Sequence, residues 1–235
     1  MTAASLYCFP CAGGTGTVNY SRWRQEISRA YRIEPIDFPG RGKRISEQGI
    51  SSFKDLAQDL FDNISKALPQ RYVLFGHSFG GLLAYECAHI LQMTTCKPPL
   101  ALIIACATAP SMVKTQDYNR EWTTEAVLEK MRNLGGTPDE IYQHPDMLEM
   151  LVNYLRTDLI ALKSFAHDAT RPKLNIPIFV IGGTKDEITS IELAAWGSMT
   201  TSNSSVAMFD GGHFICADQS RHVLKYIEEI VLHLA

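Results

Sequence analysis

Residues 72–86 read YVLFGHSFGGLLAYE, a serine with a glycine two places before it and another two places after it, set between two stretches of opposite character. Tyr72-Val73-Leu74-Phe75 is apolar without alternation, as a strand buried on both faces requires, and Gly81-Leu82-Leu83-Ala84-Tyr85-Glu86 opens a helix. In G-x-S-x-G the glycines let the chain turn sharply from strand to helix, because a Cβ at either position would meet its neighbours, while the serine takes a strained backbone conformation. That turn lifts Ser78 Oγ above the sheet edge and leaves the N–H of Phe79 at a helix N-terminus. A serine hydroxyl is a weak nucleophile, so the reading requires a base in reach and a third group to fix the tautomer of that base.

Outward from this turn, short apolar runs alternate with longer stretches of helical period, the pattern of a parallel sheet flanked by helices. Strands are expected at Ser5 to Phe9, Tyr31 to Asp37, Arg71 to Phe75, Leu100 to Cys106, Ile176 to Ile181 and Ser204 to Phe209. Helices are expected before Arg32, from Ser52 to Leu68, from Gly80 to Leu91 and from Gln219 to Leu234. One region breaks the rhythm. From Ala109 to about Lys173 no strand is expected, and two or three helices are separated by Gly135-Gly136-Thr137-Pro138 and His144-Pro145. Residues 1–235 are therefore expected to form a single α/β domain in which 109–173 is an all-helical lid inserted between two core strands. Met147, Leu151, Leu155 and Leu159 mark one face of its longest helix, widened by Leu148, Val152 and Leu162; that face either packs on the core or roofs a pocket.

The partners that Ser78 needs follow in order. Ile178-Phe179-Val180-Ile181 leads through Gly182-Gly183-Thr184-Lys185 to Asp186, and Val206-Ala207-Met208-Phe209 leads through Asp210-Gly211-Gly212 to His213. Serine, then acid, then histidine, the last two each just past a strand end, is the order of α/β-hydrolases. Glu187 is the nearest rival to Asp186, and an acid one strand earlier would fall at Ala107 or Thr108, neither of which is acidic. His213 alone among seven histidines follows a strand through a double glycine; His89, His222 and His233 are expected to be partly exposed surface residues. Hydrolysis also needs donors for the oxyanion. Phe79 N–H supplies one, and the second is expected from the loop after an early strand, Cys8-Phe9-Pro10-Cys11-Ala12-Gly13-Gly14, with Ala12 N–H first and Gly13 as the fallback.

Composition constrains little beyond this. Hydrophobic residues make up 46% and charged residues 20% of 235, and a net charge of -3 offers no reason to propose nucleic acid. The N-terminus lacks the basic and apolar regions of a signal peptide, and no apolar run would span a membrane, so the protein is expected to stay in the cytoplasm. Of the six cysteines only Cys8 and Cys11 are close in sequence, and in a reducing compartment all are expected to be small buried hydrophobes. A redox dithiol would expose its first cysteine at a helix N-terminus, and a zinc site would need two further ligands at suitable spacing. What matters in this loop is its backbone.

The segments CFPCAGG, DFPGRGKR (37–44), GHSFGGLLAYE (76–86), LGGTPDEI (134–141), YLRTD (154–158), GGTKD (182–186) and GGHF (211–214) together resemble the type II thioesterases of nonribosomal peptide and polyketide assembly lines. GHSFG and GGHF alone indicate only an α/β-hydrolase; PGRG, LGGTP and LRTD narrow the family. The resemblance implies hydrolysis of acyl groups stalled on the phosphopantetheine arm of carrier proteins, with Ser78 as nucleophile, Asp186 as orienting acid, His213 as general base, and no metal or cofactor. Members commonly carry histidine where this chain has Cys11. The chain begins just before its first strand and ends with its last helix, so the substrate is expected to arrive on a separate carrier protein near the lid, and the enzyme to act as a monomer. The alternatives are an acyl-CoA thioesterase or small-molecule carboxylesterase with the same triad, and an accessory protein that mainly binds a synthase.

Overall fold

The computed structural model describes residues 3–26, 30–94 and 97–234, so the expectation for Cys96 lies outside the described residues. Among them six strands form one sheet: β1 (Ala4–Phe9), β2 (Tyr31–Pro35), β3 (Tyr72–His77), β4 (Leu102–Ala105), β5 (Ile178–Gly183) and β6 (Ser204–Phe209). Every pairing is parallel, in the order β2-β1-β3-β4-β5-β6. The helices are α1 (Gly16–Asn19), α2 (Phe53–Ser65), α3 (Phe79–Thr94), α4 (Thr124–Leu134), α5 (Pro145–Lys163), α6 (Ser190–Ala194), α7 (Ile215–Asp218) and α8 (Ser220–His233).

The two faces of the sheet are dealt out by strand alternation. In and beside β4, Leu102 and Ile104 enter the core beneath α2 and α3, whereas Ala101, Ile103 and Ala105 enter the opposite core with Tyr20, Trp23 and the buried stripe of α8. Helix α2 forms because Phe53, Leu56, Leu60 and Ile64 recur at helical spacing behind the N-cap Ser52, whose side chain accepts from Asp55 N–H at 3.4 Å. Helix α3 is buried on nearly all sides, which the continuous apolar run from Leu82 to Ala84 permits.

Four local expectations differ from the structure. The helix expected before Arg32 is only the single turn α1 followed by turns to Glu26, with residues 27–29 outside the described part. Tyr20 and Trp23 act there as plugs rather than as a helical stripe: Tyr20 donates to Phe9 C=O at 2.9 Å and Trp23 to Cys216 C=O at 3.2 Å. β2 stops at Pro35 because Asp37 serves the loops instead, accepting from Thr17 N–H and Lys43 N–H, both at 2.9 Å. Met147 is exposed at 46%, since the first turn of α5 extends past the body that buries Val152, Leu155, Leu159 and Leu162.

His89 is the fourth correction. It is buried, not a surface residue, because its side of α3 is covered by Tyr85 and by the segment that carries His167 and Arg171. Its ring stacks edge-on against Tyr85 and its Nε2 has no hydrogen-bond partner among the described residues. Burial, with Arg171 and His167 adding positive charge, pushes its pKa from 6.5 down to about 4. The folded protein therefore holds His89 neutral while the unfolded chain protonates near 6.5, so its stability contribution is complete above pH 6.5 and is lost as pH falls toward 4, at about 1.4 kcal/mol per pH unit. Thermal melts should show a shallower loss of midpoint between pH 6.5 and 4 in His89→Leu than in wild type; parallel curves would refute this.

Between β4 and β5 lies the helical insertion. Helix α4 begins at the N-cap Thr123, ends at Gly135 with φ +71, and packs on α5 through a small core of its own, Trp122, Ala126, Val127, Met131, Val152, Leu155 and Leu159. Leu155 and Leu159 also face the sheet's C-terminal edge, where they line a cavity. Both readings of this face hold at once.

Candidate active site

In a parallel sheet all strand C-termini lie along one edge, and a crevice opens where the connection order reverses. The reversal falls between β1 and β3, which are hydrogen-bonded neighbours with Phe9 beside Gly76. That adjacency sets the loop after β1 against the turn after β3. Ser78 sits at the turn with φ +55, a left-handed conformation that costs an L-residue about 1–2 kcal/mol. The glycines around it are required by contact: a Cβ on Gly76 would lie 2.3 Å from Gly80 C=O, and one on Gly80 would lie 2.3 Å from Pro10 C=O. Ser78 N–H donates to Ala105 C=O at 2.8 Å, tying the turn to β4.

The loops after β5 and β6 are drawn together in the same way. A Cβ on Gly183 would meet Gly212 C=O at 2.4 Å, and Thr184 and Lys185 donate backbone N–H to Phe209 and Gly211. Asp186 and His213 consequently meet, with His213 Nδ1 at 3.0 Å from Asp186 Oδ2 and His213 Nε2 at 2.9 Å from Ser78 Oγ. A carboxylate only accepts, so Nδ1 carries the hydrogen and Nε2 is free to accept the Ser78 hydroxyl proton. Burial alone would raise the Asp186 pKa, but the bond and charge of His213, the Ile188 N–H and the Cys106 thiol outweigh it and hold the carboxylate below its ordinary range. Glu187 lines the cavity wall, while the carboxylate on His213 is that of Asp186.

Ala12, Ser78, Phe79 and His213 all face one cavity of about 500 Å³. Leu82, Leu155, Leu159 and Leu162 make part of its wall apolar, and Lys114, Lys130 and Lys185 stand on it as well. The fallback donor Gly13 is already committed, since its N–H donates to Asp158 Oδ2 at 2.7 Å. Two contributors escaped sequence reasoning. His77, buried and pushed down to about 3 by burial and by His213, is neutral and donates Nε2–H to His213 C=O at 2.8 Å, bracing the loop that carries that ring. Arg41 and Asp158, inside the motifs PGRG and LRTD, form a buried ion pair behind the Ala12 turn. An aspartate on the buried stripe of α5, among Val152, Leu155, Leu159 and Leu162, was the available signal.

Cys8 and Cys11 are both buried; Cys8 Sγ donates to Leu6 C=O, and burial together with the Asp158 charge pushes the Cys11 thiol up to about 12. Neither carries thiolate character at neutral pH. Among the described residues no group of three or more His, Cys, Asp or Glu is placed to hold a metal ion, and no helix is long and apolar enough to cross a membrane.

The model of the thioesterase domain matches residues 4–231. The chain belongs to the thioesterase domain family. Among solved structures it is similar to ClbQ from the colibactin NRPS/PKS pathway, with TM-score 0.89 and 26% identity over 99% of this chain and 98% of that one. It is likewise similar to the type II thioesterase BorB from the borrelidin biosynthetic cluster, with TM-score 0.87 and 28% identity over 98% and 93%. Thioesterase TesA of Mycobacterium marinum is 30% identical over 91% of this chain and 85% of its own length. This thioesterase therefore shares its fold with ClbQ and BorB over nearly its whole length.

Proposed function

We propose that this thioesterase hydrolyses acyl groups stalled on the phosphopantetheine arm of carrier proteins in a nonribosomal peptide or polyketide pathway, through an acyl-serine intermediate. The observation that carries the reading is the continuous hydrogen-bond chain from Ser78 through His213 to Asp186 at the wall of a cavity of about 500 Å³. Its neighbours ClbQ, from the colibactin NRPS/PKS pathway, and BorB, a type II thioesterase from the borrelidin biosynthetic cluster, support the substrate class. His213 takes the Ser78 proton as Oγ bonds to the thioester carbonyl carbon. The oxyanion rests on Phe79 and Ala12 N–H, the C–S bond breaks, and His213 passes its proton to the departing thiolate. Water, deprotonated by His213, then attacks the acyl-serine; the ester bond breaks and Ser78 recovers its proton, releasing the acid.

In this reading residues 1–235 act as one domain, with the segment 109–173 as a lid over the cavity, and the protein works in the cytoplasm on a carrier domain that docks beside the lid. The test is to offer one acyl group as carrier-protein thioester, CoA thioester and oxygen ester. The highest kcat/KM is expected on the carrier protein; a preference for the oxygen ester would overturn the proposal.

A further inference from the structure

The turn that carries Ala12 is closed by Gly14 N–H donating to Cys11 C=O at 3.0 Å, with Gly13 at φ +72. Positive φ at the third residue marks a type II turn, and the type I alternative differs by a flip of the central peptide plane. Here that plane joins Ala12 to Gly13. Its N–H donates to Asp158 Oδ2 at 2.7 Å, and Arg41 grips the same carboxylate twice, Nη2 to Oδ1 at 2.5 Å and Nη1 to Oδ2 at 2.9 Å. Arg41 Nη1 also donates to Gly14 C=O at 3.0 Å, so the ion pair holds the turn at two peptides, Ala12–Gly13 and Gly14–Thr15. Both side chains are buried, 2% and 0% exposed, and the guanidinium lies over the rings of Phe38 and Tyr154. A flipped plane would turn the Ala12 carbonyl toward the Asp158 carboxylate, two acceptors face to face at a buried site.

We infer that Arg41 and Asp158 are positioning residues for the oxyanion hole: the pair pins the Ala12–Gly13 and Gly14–Thr15 peptides, which follow Ala12 in the turn, and so fixes the backbone from which Ala12 N–H, on the preceding Cys11–Ala12 peptide, is offered to the oxyanion on Ser78. The inference rests on the proposed roles of Ser78 and Ala12. Donors count in catalysis only when held in place before charge develops, and one donor is worth about 100- to 1000-fold where it has been deleted. A turn free to shift loses part of that.

In Asp158→Asn, kcat is expected to fall roughly tenfold to a hundredfold with KM within about threefold. Its affinity for a boronic acid that forms a tetrahedral adduct on Ser78 should fall by the same factor, while a non-hydrolysable thioether analogue binds as in wild type. Arg41→Lys keeps the charge but cannot hold both carboxylate oxygens and Gly14 C=O, and should show the same split in smaller measure. A folded variant with wild-type kcat and boronate affinity overturns the inference, as does equal weakening of boronate and thioether, which marks a structural role alone. Should neither variant fold, the wild-type Gly13 amide decides: slow hydrogen exchange with and without boronate supports the clasp, and fast exchange in either state refutes it. If instead the boronate fails to bind wild type or Ser78→Ala stays active, the nucleophile assignment fails, a result distinct from failure of the clasp.

Discussion

Ser78→Ala is expected to lower kcat for thioester hydrolysis by about four to six orders of magnitude while leaving the fold and substrate affinity in place. Oγ is the atom proposed to bond the acyl carbon, and no other hydroxyl is hydrogen-bonded to His213 Nε2 among the described residues. The backbone of the turn does not depend on that oxygen: Ser78 N–H still reaches Ala105 C=O, and alanine meets the same left-handed penalty as serine at φ +55. Stability should therefore hold in Ser78→Ala and rise by about 1 kcal/mol in Ser78→Gly, where the penalty disappears. Single-turnover kinetics with an acyl-carrier substrate, intact-protein mass spectrometry for the acyl adduct and urea unfolding check all three. Retention of more than a tenth of wild-type activity in Ser78→Ala would remove Ser78 as nucleophile.

Gly80→Ala should damage the fold severely, costing about 3 kcal/mol or more. The added Cβ would lie 2.3 Å from Pro10 C=O and 2.4 Å from Phe9 C=O, and both obstacles are backbone at the end of β1, which cannot swing aside as a side-chain tip can. Any relief must push β1 away from the start of α3, and that displacement carries Ala12 away from Ser78, so activity should fall further than the loss of folded protein explains. Gly197→Ala is the matched control, because its nearest contact would be 3.8 Å from the Ser204 side chain. Equilibrium urea unfolding of the two variants separates the cases; a cost for Gly80→Ala within 1 kcal/mol of Gly197→Ala would mean that the turn yields more readily than these distances allow.

Much of the fold was legible locally because a two-face-buried strand leaves an unbroken apolar run, as the fully buried β4 does; β6, expected and found at Ser204 to Phe209, is an exposed edge strand. The strand ends drifted where side chains served loops: Asp37 left β2 to bind the Thr17 and Lys43 amides, and β3 ran on through Gly76 and His77. The missing helix before Arg32 was lost for a similar reason, since Tyr20 and Trp23 are anchored by single long-range hydrogen bonds that leave no periodic trace. His89 looked like a surface residue because one polar side chain on a helix is ordinarily turned outward, and only the enclosure of α3 overrides that rule.

Residue order alone determined the parallel α/β architecture, the strand-to-helix turn at Ser78 and the placing of Asp186 and His213 past strand ends, because each depends on steric and periodic rules acting within a few residues. Tertiary structure decided that β1 lies beside β3, so that Ala12 comes to face Ser78; that Asp186 rather than Glu187 meets His213; and that Asp158 on α5 reaches Gly13 across 145 positions of chain. Those outcomes follow from how the strands are ordered and the helices stacked. Such contacts join residues remote in the chain, and a buried ion pair such as Arg41–Asp158 is identified only when both partners are brought out of water to the same place.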